Sequence, residues 1–375
     1  MKKAILLLLL CLALLVGCAA TAVPPPELPP EMPPPPPTAE ELAAKQVADL
    51  LAGMTVEEKV GQLFFPRCPT VDAVADIETY HLGGYLLFTR DFADKTAGEI
   101  IDTLGSYQRA AQLPLLLGVD EEGGSVVRVS SNPHLRPTPD LSPQACLLQG
   151  GMETLLAETG RRDALLAGLG INVNLAPVCD LSAPGDFMGA RSFGTNAVTV
   201  SDQIAAVVET MSADGMGTVL KHFPGYGNNP DTHTGSAVDS RPLEHFQKAD
   251  FLPFAAGIQA GAGSVLVSHN VMAAVDAALP ASLSPAVHGL LREELHFDGV
   301  VMTDDLAMEA VSAYATDDAI AVVALLAGND LIVTTDYRTQ IPPTIAAAKD
   351  GTLSPELLDG AVRRVLRWKQ SLGLL

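Results

Sequence analysis

Short apolar runs recur along the chain, and the segments between them carry helical periodicity or helix-forming composition. The runs fall at 61–65, 84–88, 113–119, 171–178, 217–220, 264–267, 299–303 and 330–334. Segments 97–111, 152–169, 201–213, 285–295 and 317–326 read as helices. Thr55, followed by Glu57 and Glu58, offers a cap and an acidic first turn for a further helix near the start of the pattern. Eight strands alternating with helices predict an α/β chain folded as a single (β/α)8 TIM-type barrel over residues 39–375. A doubly wound open sheet is the alternative, and periodicity alone does not separate the two.

A barrel makes a further demand, because its working groups gather where the parallel strands end. Polar residues stop the apolar runs in several places: Asp120 with Glu121-Glu122-Gly123-Gly124, Asp180, Lys221-His222, Ser268-His269-Asn270, Asp304-Asp305 and Thr335-Asp336. With only 18% of residues charged, so many strand ends carrying them is more than helix capping requires. The richest stretch is K-H-F-P-G-Y-G-N-N-P-D-T-H, Lys221 to His233, which leaves a strand and enters a loop of Gly, Asn and Pro. Read alone, N-N-P-D-T-H is ordinary turn chemistry. The alternative for the Asp304-Asp305 pair is that one Asp caps the helix from Leu306 onward while the other orders a loop.

The N-terminus departs from the barrel pattern. Lys2 and Lys3 precede an apolar run, residues 4–16, that is too short for an ordinary membrane-spanning helix. Leu15-Val16-Gly17-Cys18 follows and resembles the lipobox of bacterial lipoproteins. That resemblance implies a signal peptide over 1–17, cleavage before Cys18, lipidation of its thiol and anchoring to the outer side of the cytoplasmic membrane, or to a periplasmic or outer-membrane face where one exists. A plain secretory signal with an incidental Cys is the alternative. Residues 18–38 hold a dense proline run, expected to stay extended as a semi-rigid spacer.

Charge and cysteine usage narrow the classes. A formal net charge of −21 argues against nucleic acid, whose phosphates need clustered Lys and Arg. Beyond Cys11 and Cys18 the chain holds Cys68, Cys146 and Cys179, widely spaced and odd in number, which suggests small buried hydrophobes rather than disulfides or a zinc site. No metal or cofactor is expected, and the chain is expected to be a monomer.

At the strand-end residues the sequence resembles glycoside hydrolase family 3, in its β-N-acetylglucosaminidase branch. The likeness runs through V-D-E-E-G-G-S-V-V-R (119–128), L-A-P-V-C-D (175–180), A-R-S-F-G (190–194), the Lys221 loop, S-H-N (268–270), P-A-S-L-S-P (280–285) and F-D-G-V-V-M-T-D-D-L-A-M (297–308). The resemblance implies that Asp304 is the nucleophile of a retaining glycosidase and that His233, held by Asp231, is its proton donor. An imidazole beside a carboxylate gives and takes protons near neutrality. The resemblance also implies that Asp120, Arg128, Arg191, Lys221 and His222 hold the terminal sugar, with His269 and Arg67 as lesser candidates. Asp180 and His269 could also be buried structural partners. Gly225 and Gly227 suggest hinges for a lid carrying His233.

Two departures stand out. Tyr226 occupies a position where many members of the branch have His, and the loop to His233 is one residue shorter than their commoner pattern. The implied activity is release of terminal N-acetylglucosamine from peptidoglycan fragments or related amino-sugar oligosaccharides. A family 3 β-glucosidase or xylosidase, and a lipoprotein that binds sugars without turnover, are the alternatives. Phosphate could also replace water in the second step, since a neutral histidine repels it less than a carboxylate does.

Overall fold

The computed structural model describes residues 36–230, 235, 237–312, 314 and 320–375. The chain divides into two units, Met1–Glu41 and Leu42–Leu375. The first is described only over 36–41, where Thr38 N donates to the Glu41 carboxylate at 2.7 Å. The signal segment, Cys18 and most of the proline run lie outside the described residues, as do Asp231 and His233.

Eight short strands occur among the described residues of the second unit: β1 Gly84–Leu87, β2 Leu116–Val119, β3 Val173–Asn174, β4 Gly217–Phe223, β5 Val238–Asp239, β6 Ser264–Val267, β7 Val271–Met272 and β8 Val300–Thr303. Six form one parallel sheet in the order β1-β2-β3-β4-β6-β8. The predicted runs at 61–65 and 330–334 make no ladder of their own, yet they close the ring. Leu331 bridges Met302, Ile332 bridges Phe64, and Arg67 bridges Leu86, all parallel. Phe65 N donates to Ile332 O at 2.9 Å and Cys68 N to Leu86 O at 2.9 Å, so the sheet curls onto itself and the open-sheet alternative falls. β5 and β7 pair separately beside the barrel.

Burial explains why the strands read as continuous apolar runs: β1, β2, β6 and β8 are buried at every position, as strands covered on both faces must be. Inside the ring, the Phe65 ring lies where a Cβ on Gly118 or Gly84 would collide with it, so these two positions need glycine. Cys68, Cys146 and Cys179 are free and buried.

Helices fill the crossovers. Ala97–Ala110, Ala197–Ala213 and Phe251–Gln259 cover the outside. Pro143–Gly168 starts well before the predicted 152, because Ser142 caps it and a kink at Gly150 and Gly151 joins two segments whose combined pattern obscures the first. The predicted 285–295 helix is α-helical over Pro285–Gly289 and π-helical over Leu290–Glu294. Thr55 caps Val56–Gln62 as expected, its side chain accepting from Glu58 N while Thr55 N donates to the Glu58 carboxylate.

The last helix, Pro355–Ser371, buries Leu358, Ala361, Val362, Val365, Leu366, Trp368 and Lys369, a stripe at helical spacing. Lys369 is a charged residue on that stripe. It is fully buried, and its ammonium donates to Gln62 Oε1 at 2.7 Å. Burial pushes its pKa from 10.5 down to about 7. Between those values the unfolded chain binds the proton and the folded one does not, so stability must rise with pH across about 7 to 10.5. In Lys369→Met this rise is expected to disappear from denaturation midpoints measured over pH 6–10.5; an unchanged slope would show that the lysine stays charged in the fold.

Candidate active site

The site is built on an irregularity in β4. Leu220 pairs with Val265 and Phe223 with Val267, so Lys221 and His222 together face the single residue Leu266. Regular alternation would send neighbouring side chains to opposite faces, whereas the bulge lets both reach the C-terminal mouth of the barrel. The peptide joining them is cis.

Lys221 Nζ donates to Asp120 Oδ1 and to Glu122 Oε1, each at 2.6 Å. Glu122 also takes two bonds from Arg191, Nε to Oε2 at 2.8 Å and Nη2 to Oε1 at 2.7 Å. Complete burial alone would raise the Glu122 pKa, but the two cations outweigh it and hold the carboxyl well below its usual range. Glu122 in turn, working against burial, raises the pKa of Arg191. His222 completes the group. Its Nε2 lies 3.3 Å from Arg191 Nη2, and its Nδ1 lies 2.7 Å from Asp180 Oδ2. With Arg191 as a donor, the arrangement assigns the proton of a neutral ring to Nδ1, directed at Asp180. Asp180 also accepts from the backbone N–H of His222 at 3.2 Å and of Tyr226 at 2.7 Å.

Opposite this group, β8 delivers Asp304. Its N–H donates to Val267 O at 3.1 Å, and its Oδ1 accepts from Asp305 N at 2.8 Å. Asp305 is a tether: Oδ1 accepts from Ala307 N at 3.0 Å and Thr335 N at 3.1 Å, while Oδ2 accepts from Thr335 Oγ1 at 2.8 Å. Both carboxylates line the cavity, and Asp305 also ties the β8 loop to the next stave. His269 sits beneath this turn, with Nδ1 2.7 Å from Ser282 Oγ and Nε2 3.0 Å from the Asp305 carbonyl. It does not line the cavity, and its place is that of a support for the Asp304-Asp305 turn.

The cavity, about 260 Å³, is lined by Arg67, Phe88, Asp120, Arg128, Arg191, Lys221, His222, Asp304, Asp305 and Met308, with aliphatic residues between. Its floor is apolar and its polar groups converge, as in sites for small polar ligands. The Arg67 guanidinium lies 4.1 Å and that of Arg128 5.8 Å from the Phe88 ring centre. The Nε atoms of both are buried with no hydrogen-bond partner. Arg128 is aimed by Glu121, a fully buried carboxylate that accepts from the N–H groups of Arg128, Val129 and Ser130. An apolar cavity of about 280 Å³, lined by Leu50, Met54, Ile77, Leu82 and Leu113 among others, lies at the opposite, N-terminal end of the strands, away from these groups.

Five predicted sugar-holding residues, Asp120, Arg128, Arg191, Lys221 and His222, therefore share one cavity with Asp304 and Arg67. Gly225 and Gly227 have φ of 117° and 56°, and a Cβ on either would strike Asp250 or Arg241, so both glycines have a steric reason of their own. Glu122, the centre of the charge network, was not among the predicted site residues; its only mark in the sequence is its place as the third acid of the run Asp120-Glu121-Glu122.

A closed parallel barrel with an aspartate at one strand end, opposite cations and hydrogen-bond donors across a small cavity, is the class of site that takes a small polar ligand at the C-terminal mouth of the strands. Residues 55–368 match the family model of the glycosyl hydrolase family 3 N-terminal domain. The chain belongs to glycosyl hydrolase family 3. It is 33% identical over 294 residues to a beta-hexosaminidase of Stenotrophomonas maltophilia, covering 76% of this chain and 86% of that one. Among solved structures it resembles a family 3 beta-N-acetylglucosaminidase from Paenibacillus, with TM-score 0.80 and 32% identity over 86% of this chain and 63% of the other. A beta-N-acetylhexosaminidase from Beutenbergia cavernae has TM-score 0.72 and 32% identity, over 84% of this chain and 98% of that one. The chain thus spans less than two thirds of the Paenibacillus enzyme and nearly all of the Beutenbergia one.

Removing the charge of Glu122 leaves Lys221 and Arg191 buried against each other. Glu122→Gln is expected to lower stability by about 3–5 kcal/mol, the scale of a broken buried ion pair, as measured by denaturant unfolding. A loss under about 1 kcal/mol would mean that water reaches the network.

Proposed function

We propose that the protein is a retaining exo-β-N-acetylglucosaminidase that releases terminal N-acetylglucosamine from peptidoglycan fragments or related amino-sugar oligosaccharides. The observation that carries this reading is Asp304 at the end of β8, in the same cavity as Asp120, Arg128, Arg191, Lys221 and His222. The relatives named beta-hexosaminidase and beta-N-acetylglucosaminidase support the amino-sugar assignment.

In this reading an Asp304 oxygen attacks the anomeric carbon while the glycosidic oxygen departs with a proton from His233, leaving a glycosyl ester on Asp304. Water, deprotonated by His233, then attacks the same carbon and releases Asp304 with net retention. Asp231 orients His233 and stabilises its charged form. Asp231 and His233 carry these roles through their match to the family's loop. Asp120 and Lys221 offer an acceptor and a donor to the sugar hydroxyls, and Arg128 and Arg67 offer buried donors.

Wild-type enzyme is expected to cleave an aryl β-N-acetylglucosaminide in strong preference to an aryl β-glucoside, and Asp304→Ala to lower kcat by about 10³-fold or more, as loss of a catalytic nucleophile does. Full activity in the variant, or no cleavage of either substrate by the wild type, would sink the assignment.

We also propose that the protein is exported and lipid-anchored through Cys18, on the strength of Leu15-Val16-Gly17-Cys18 and the proline-rich spacer behind it. Cys18→Ala is expected to abolish incorporation of labelled fatty acid in the producing cell; undiminished labelling would place the lipid elsewhere.

A further inference from the structure

We propose that Phe187, backed by Tyr226, is the stacking wall of a second sugar position at the mouth of the cavity, and that it selects substrates by the sugar on their leaving-group side. The proposal rests on the reading of the cavity as the seat of the terminal N-acetylglucosamine.

Three aromatic rings lead outward from the cavity. His222 lines it; the Tyr226 ring centre lies 5.6 Å from that of His222 at 78°, and the Phe187 ring centre lies 5.6 Å beyond Tyr226 at 43°. The two inner rings are buried, His222 at 7% and Tyr226 at 3% exposure, and the run ends at Phe187, which is 42% exposed. Phe187 is the one aromatic among the exposed large hydrophobic residues described; the others are aliphatic or Met. Single exposed aliphatic residues are common on protein surfaces and need no explanation. An exposed ring within two ring spacings of a cavity residue is a different case, because its open face is available to a ligand that extends out of that cavity.

The wall is fastened to the same groups that hold the terminal sugar's site. Tyr226 packs on Val178 and Met188, and its N–H is bound by Asp180, the carboxylate that also holds His222 Nδ1. Met188, next to Phe187, is fully buried; its carbonyl accepts from Arg191 N at 2.9 Å, and its sulfur lies 3.3 Å from Arg191 Nη1. Phe187 is therefore positioned by its neighbour against Arg191 and by its ring against Tyr226. A β-linked pyranose has an apolar face of axial C–H bonds, which suits the electron-rich face of an aromatic ring, while its equatorial hydroxyls remain in water.

The test compares a substrate that places a ring at the mouth with one that does not: the β-1,4-linked disaccharide of N-acetylglucosamine, and N-acetylglucosaminyl fluoride. In Phe187→Ala and Phe187→Leu the disaccharide is expected to lose about three- to tenfold in kcat/KM, through KM, the scale of one aromatic contact. The fluoride is expected to stay within about twofold, since at most a small share of that contact is at stake, and Phe187→Trp is expected to keep the disaccharide. Equal losses on both substrates, no loss on either, or restoration by Phe187→Leu would overturn the proposal, the last by showing that apolar cover rather than a ring matters. Calorimetric binding of the disaccharide to Asp304→Asn, with and without Phe187→Ala, makes the same comparison without turnover. A wild type that cleaves neither substrate counts against the functional reading; equal disaccharide affinity in the two calorimetric variants counts against Phe187 itself.

Discussion

Glu122 is the constraint on which the arrangement of the cavity depends. Lys221 comes from β4, Arg191 from the loop after β3, and Asp120 from the end of β2, and each would carry a large desolvation cost if buried alone. One carboxylate bound to both cations brings three separate pieces of chain to a common point. Its depressed pKa is the electrostatic sign of that role. The network cancels most of its own charge, so the cavity presents fixed hydrogen-bonding directions rather than a strong field. That suits a neutral, hydroxyl-rich ligand better than an ionic one.

From that centre the order spreads outward by contact. Arg191 meets His222, His222 meets Asp180, and Asp180 holds the backbone at Tyr226, where the loop toward His233 begins. On the other side, Asp304 is placed by a backbone bond to Val267 of β6, the strand that pairs with β4, and supported by Asp305 and His269. Side chains that are themselves locked by neighbours reduce the ordering cost of binding and keep reacting atoms in place. Glu121 extends the principle to Arg128, spending a buried carboxylate on three backbone N–H groups of one loop.

Much of this was legible in the chain. The barrel staves were marked by apolar runs because every strand is covered on both faces, and the candidate residues were marked by where those runs stop. Asp120, Arg128, Arg191, Lys221, His222 and Asp304 all follow from that pattern and the family resemblance. Less legible was the behaviour of the runs at 61–65 and 330–334, which contribute single bridges rather than ladders, since pairing depends on neighbours far away in sequence. His269 shares the strand-end signature of its companions yet turns beneath the Asp304-Asp305 turn. Lys369 lies on an apolar stripe that periodicity would assign to a hydrophobe.

By itself, then, the sequence determined where the apolar staves of the barrel run, that polar groups collect at one end of them, and which family's motifs they spell. These are local properties: the alternation of burial and the chemistry of short runs of residues. Only the tertiary structure decided that Glu122 rather than Asp120 is the bridge between the cations, that Asp305 is also a tether to the next stave, and that Arg67 joins the lining while His269 stands behind it. Neighbouring residues of one type are equivalent along a chain. They become different only when the fold gives one of them a buried partner and the other an open face.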